Sequence, residues 1–125
     1  MRVLVDTHVL LWMFADPGRI GPEAANLLKS TDTKPVVSVI SLWEIAIKRA
    51  AGKLTVPARF LDHLRSAGLE VLALSADHAW RAGALPMHHR DPFDRALIAQ
   101  SLVEDIALIT HDQNMVAYSA KVIRA

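Results

Sequence analysis

Residues Asp91–Asp112 read DPFDRALIAQSLVEDIALITHD. Asp91 supplies a helix N-cap, and Pro92 takes the first helical position, where a missing N–H costs nothing. Phe93, Leu97, Ile98 and Leu102 then recur at helical spacing on one face. The helix runs into IALIT at Ile106–Thr110, a short apolar segment bearing β-branched residues, which reads as a buried strand. Asp94 falls in the first turn of this helix, and Asp112 lies just past the end of this strand.

The same alternation extends outward in both directions. RVLV at Arg2–Val5 reads as a strand, followed by a helix from Thr7 to about Ala15 that stops at the turn signal Asp16-Pro17-Gly18. A helix from Pro22 to about Leu28 comes next, then a strand PVVSV at Pro35–Val39 and a helix from Ile40 that stops at Gly52. Pro57 opens a helix closing at Gly68, LEVLAL at Leu69–Leu74 is a strand, and Ser75 caps a helix to about Ala84. KVI near the end supplies a fifth strand. Strands alternating with helices predict an α/β fold: a three-layer α/β/α sandwich with a mainly parallel central sheet. No internal repeat, low-complexity tract or linker interrupts the chain, so residues 1–125 are expected to form one domain.

Composition narrows the chemistry. The 125 residues are 52% apolar and 22% charged, enough for a core that buries roughly two thirds of the unfolded surface. Cysteine is absent, which excludes disulfides, thiolate nucleophiles and cysteine-ligated metal centres. Any metal must be held by oxygen or imidazole. The longest apolar run, Val9–Ala15, is far short of the ~20 residues that cross a bilayer. Asp6 and His8 break the first apolar stretch where a secretory signal needs continuity, so a cytoplasmic protein with no membrane partner is expected. A net charge of +1 is too mild for long-range attraction to nucleic acid and does not forbid binding to it.

In an open parallel sheet, ligands bind beyond the carboxyl ends of the strands. Asp6 directly follows RVLV, and Asp112 follows IALIT, so neighbouring parallel strands would bring these acids together. Glu44, near the start of the helix after PVVSV, and Asp94 point to the same edge. At ~4 Å and an effective dielectric of about 20, each pair of carboxylates would repel by on the order of 4 kcal/mol. Either protons are retained or a divalent cation is bound, and an all-oxygen cluster suits magnesium or manganese. Simpler roles compete: Asp91 and Asp94 complement a helix start, and Glu44 can pair with Lys48 four residues on. Asp6 is the hardest to dismiss, because an acid inside VLVDTHVLL is costly to desolvate without a partner.

Three segments, VDTHVLLW at Val5–Trp12, SLWEIAIKRAAGKL at Ser41–Leu54 and HHRDPFDRALIAQSLVEDIALITHD at His88–Asp112, resemble the PIN-domain nucleases. The likeness is strongest to the toxin ribonucleases of bacterial VapBC-type toxin–antitoxin modules, and it covers nearly the whole chain. The resemblance implies a compact α/β/α domain, a homodimer, and a magnesium or manganese ion in an acidic pocket. It implies hydrolysis of RNA phosphodiester bonds by an activated water, leaving a 5′-phosphate and a 3′-hydroxyl, and a cognate antitoxin protein as partner. The family's acidic positions fall on Asp6, Glu44, Asp94 and Asp112, with Asp91 as a supporting carboxylate and Thr7 and Thr110 beside ligand positions. Arg90, Arg95 and Lys48, with Arg49 and Lys53, are the cations closest in sequence for contacting RNA. Arg95 is also placed to neutralise the acids.

Two other classes fit parts of the sequence. His88 and His89, with His8 and His111, would serve a metal-independent ribonuclease acting through the 2′-hydroxyl, or ligate a transition metal. A PIN-like domain that only binds, or that processes RNA without a toxin role, would need no antitoxin. The mean hydropathy of +0.24 is high for a small domain and suggests apolar surface covered by another chain, with helical faces around 20–28 and 56–69 as candidates.

Overall fold

The computed structural model describes residues 1–118 and 120–125. Five strands, β1 (Arg2–Val5), β2 (Lys34–Ser38), β3 (Glu70–Leu72), β4 (Ala107–Thr110) and β5 (Val122–Arg124), form one sheet in the order β3-β2-β1-β4-β5. Every strand pair is parallel. Six α-helices, α1 (Thr7–Ala15), α2 (Pro22–Lys29), α3 (Val39–Ala50), α4 (Phe60–Ser66), α5 (Ala76–Ala84) and α6 (Pro92–Glu104), connect them. Short 3₁₀ turns occupy Pro17–Arg19 and Gln113–Ala117.

Side-chain alternation along the central strands defines the layers. Leu4, Val36 and Leu108 point into one core with Leu97 and Ile98 of α6. Val3, Val5, Val37, Ala107 and Ile109 point into the other, against Val9 and Leu10 of α1, Ala24 of α2, Ile45 of α3, and Phe60 and Leu64 of α4. The sandwich is therefore α/β/α, as the alternating sequence predicts.

Boundaries move where side chains intervene. The second strand stops at Ser38 and not Val39, because the Ser38 hydroxyl accepts the Ile40 N–H at 3.0 Å and starts α3 there. Residues 57–59 form a turn, so α4 begins at Phe60 and not Pro57. The third strand is three residues long and not six. Gly52 after α3 and Gly68 after α4 take φ of +72° and +79°, left-handed backbone that glycine adopts without a Cβ penalty. Ser75 and His78 cap α5 reciprocally: Ser75 Oγ accepts the His78 N–H, and His78 Nδ1 accepts the Ser75 N–H. No helix among the described residues is long and apolar enough to cross a membrane.

Candidate active site

The chain runs β1, β2, β3 in one direction across the sheet and then β4, β5 in the other. The two directions part between β1 and β4, which pair with Val5 beside Ile109. A crevice opens at such a switch point, beyond the carboxyl ends of the strands. Asp6 stands at the end of β1 and donates its N–H to the Ile109 carbonyl at 3.0 Å. Asp112 lies two residues past β4.

Each acid is fixed by its neighbours. Asp6 caps α1: its Oδ1 accepts the Val9 N–H at 2.8 Å, and its Oδ2 accepts the Thr110 hydroxyl in a short hydrogen bond. The same Thr110 Oγ1 accepts the Asp112 N–H at 3.0 Å, so one hydroxyl ties the two strand ends together. Asp6 is 3% exposed. Burial pushes its carboxyl above the ordinary range, against the opposing effect of the Thr110 and Val9 hydrogen bonds.

Glu44 sits in the second turn of α3, a turn deeper than the sequence suggests, and is 4% exposed. Thr7, at the start of α1, donates its hydroxyl to Glu44 Oε1 at 2.7 Å and lies 3.0 Å from the Ser41 hydroxyl. Lys48 Nζ holds Glu44 Oε2 at 2.7 Å. The hydrogen bond to Glu44 raises the Lys48 ammonium above its ordinary value, against desolvation and with help from Asp91 and Asp94.

Asp91 Oδ1 accepts the Phe93 N–H at 2.8 Å and the Asp94 N–H at 3.4 Å, the capping role that its position before Pro92 suggests. Asp94 is pushed up to about 7 by burial, with Asp91, Glu44 and Asp112 adding negative potential and His89 opposing them. Asp112 moves the other way: burial raises its carboxyl, but the His89 and Asn114 hydrogen bonds outweigh this and hold it below the usual range. Burial together with neighbouring acids raises this carboxyl, and a divalent cation would offset the negative charge gathered there. Among the described residues, Asp94, Asp112 and His89 stand close enough to hold one ion together, and this carboxylate-rich set fits a hard divalent cation.

The candidate cations divide. Arg90, Arg49 and Lys53 are exposed, and Lys48 is half-buried against Glu44. Arg95 departs from its expected place at an RNA surface. It is buried, and its guanidinium donates to the Ala82, Leu85, Pro86 and His89 carbonyls at 2.8–3.3 Å, so it faces neither solvent nor the acids. The helical pattern assigns no side to a charged residue whose partners lie at the end of the preceding helix and in the loop that follows it.

The histidines also separate. The His88 ring meets the Tyr118 ring edge-on at 5.1 Å. His111 Nδ1 stands 4.0 Å from Asp6 Oδ2, with the His8 and Trp12 rings each 4.9 Å away. His89 turns inward between Asp94 and Asp112. The sequence offers His89 as a base or a metal ligand, and its contact with both carboxylates emerges only in the fold. Its spacing two residues before the Asp91 cap is the one available signal.

A five-stranded parallel sheet with buried carboxylates at its switch point defines an α/β domain built around an acidic crevice. The chain belongs to the PIN domain family, whose model matches residues 3–121. Ribonuclease VapC22 of Mycobacterium tuberculosis (strain ATCC 25618 / H37Rv) is 29% identical over 121 residues, which span 90% of this chain and 88% of that protein. The fold is similar to a chain in the crystal structure of VapBC2 from Rickettsia felis bound to a DNA fragment from their promoter. That likeness has a TM-score of 0.76 at 14% identity and covers 100% of this chain and 99% of the other. A chain in DNA-bound VapBC from Salmonella typhimurium gives 0.72 at 18% identity, covering 99% and 98%.

Proposed function

We propose that this chain is a metal-dependent endoribonuclease, the toxin of a toxin–antitoxin pair, and that it hydrolyses RNA phosphodiester bonds at the acidic crevice. The observation that carries the reading is the linked set of carboxylates at the switch point: Asp6 and Asp112 share the Thr110 hydroxyl, and Asp112 and Asp94 share the His89 ring. The ribonuclease name of the M. tuberculosis relative supports the substrate class, and the VapBC structures support an antitoxin partner.

Asp6, Glu44, Asp94 and Asp112 would hold a magnesium or manganese ion. When bound, such an ion supplies Lewis-acid stabilisation of charge on phosphate oxygens and makes water a better nucleophile. The chain's own residues prepare the crevice. Thr110 and the Val9 N–H orient the Asp6 carboxylate, Thr7 and Lys48 orient Glu44, and the Asn114 N–H orients Asp112. Arg90, Arg49 and Lys53 are exposed and available to RNA phosphates, which the acids alone repel.

Exposed apolar side chains support a covered surface. Val39, Trp43 and Leu61 are 38%, 59% and 39% exposed along a groove of about 750 Å³ between α3 and residues 56–61, and none of the four acids lines it. A homodimer is expected in solution in the cytoplasm, and a cognate antitoxin whose tail reaches into the acidic crevice. Light scattering at micromolar concentration tests the dimer, and a purely monomeric species would exclude it.

Purified protein incubated with total RNA is expected to cut only with magnesium or manganese and to leave 5′-phosphate ends. Asp6→Asn keeps the side-chain shape and removes the charge, so cleavage is expected to fall by about a hundredfold or more. Cleavage by D6N at the parent rate, or cleavage that survives excess chelator, would sink the reading. Growth arrest on induced expression, relieved by the antitoxin, tests the toxin role separately.

A further inference from the structure

We propose that His89 is a positioning residue of the acidic site: with Nδ1 turned to the Asp91 N–H, its Nε2 side tethers Asp112 beside Asp94, and the ring is not itself a metal ligand. The proposal rests on the nuclease reading only for its functional consequence.

The loop between α5 and α6 fixes the ring from both sides. The His89 N–H donates to the Tyr118 hydroxyl at 3.0 Å, and the His89 carbonyl accepts from buried Arg95 at 3.3 Å. The Asp91 N–H donates to His89 Nδ1 at 3.0 Å. A backbone N–H is a donor only, so Nδ1 must present a lone pair, and the ring hydrogen lies on Nε2.

That choice decides what the far side of the ring does. Nε2 lies 2.8 Å from Asp112 Oδ2 and 3.0 Å from Asp94 Oδ2. These three atoms also have the closeness of a metal-binding group. Ligation through Nε2 would require the lone pair there and would move the hydrogen to Nδ1, onto the N–H of the residue that caps α6. The loop thus selects a donor ring, and the candidate ligands remain oxygens. Among the described residues no other hydrogen bond or ion pair reaches the Asp94 carboxylate. The Asp94 carboxylate is therefore tied to Asp112 through this ring, on a loop anchored by Arg95 and Tyr118.

Nitrogen-15 spectra of the histidine rings test the tautomer, with His89→Gln assigning the signal. Before and after magnesium addition, His89 is expected to show an unprotonated Nδ1 and a protonated Nε2. A protonated Nδ1 in either state overturns the proposal. Calorimetric magnesium titration tests the tether. His89→Ala is expected to weaken magnesium binding about tenfold, with a larger effect on half-saturating metal than on the rate at saturation. H89Q, whose amide N–H reaches toward the same oxygens, should recover most of the loss. Unchanged magnesium affinity in a folded H89A protein, judged by its circular dichroism, also overturns it. If the parent protein neither binds magnesium nor cuts RNA, the nuclease reading falls, while the ring spectrum still decides the tautomer.

Discussion

With its carboxyl near 7, Asp94 holds a proton in the folded chain at a pH where the unfolded chain, near 3.8, has lost it. The folded state then binds the extra proton between about pH 4 and about pH 7, so this residue makes the metal-free protein less stable as pH rises through that window. Asp112 acts oppositely: its lowered carboxyl contributes stability above the unfolded value that is lost as pH falls through the folded one. The melting temperature of metal-free protein should therefore fall from about pH 5 to about pH 7.5, and Asp94→Asn should flatten that slope. An equal slope in D94N would count against a protonated Asp94. At this scale the sequence was informative about Asp6, whose apolar neighbours make an unpartnered charge costly. It was silent on Arg95, whose partners are carbonyls of residues 82–89. Thr110 lies beside the site in the sequence, and its hydroxyl bridges Asp6 and Asp112. Replacing it by Val should lower cleavage roughly tenfold in a folded protein.

The helix starts and stops set where the acids emerge. Asp91 holds the first N–H groups of α6, and Asp91→Ala should cost about 1 kcal/mol in urea unfolding. Arg95 joins the end of α5 and the following loop to α6. Arg95→Met keeps much of the packing and leaves several carbonyls unsatisfied, so about 3 kcal/mol of stability should be lost. A loss below about 0.5 kcal/mol would mean that water replaces the guanidinium. Element types were readable from period and caps, as with Pro92, Ser75 and Gly52. Boundaries shifted where one side chain decided them, as the Ser38 hydroxyl did at the start of α3. The 3₁₀ turn at Gln113–Ala117 carries no apolar period to announce it; Asp112 Oδ1 starts it by accepting the Asn114 N–H.

Across the molecule, a cation bound only by the folded crevice stabilises by mass action, about 2.7 kcal/mol at a hundred times its dissociation constant. Magnesium should raise the melting temperature of the parent protein and leave D6N nearly unmoved; an equal rise in both would place the ion elsewhere. The sequence alone determined the α/β alternation, the two-faced parallel sheet and the placing of acids after strands, because hydrophobic period and caps are local properties of the chain. Only the tertiary structure decided the order β3-β2-β1-β4-β5, which sets Asp6 beside Asp112 although 106 positions separate them in the chain. It alone turned Arg95 inward and His89 toward two carboxylates, since hydrogen-bond partners outside a residue's own helix or strand are chosen by packing and leave no period in the sequence.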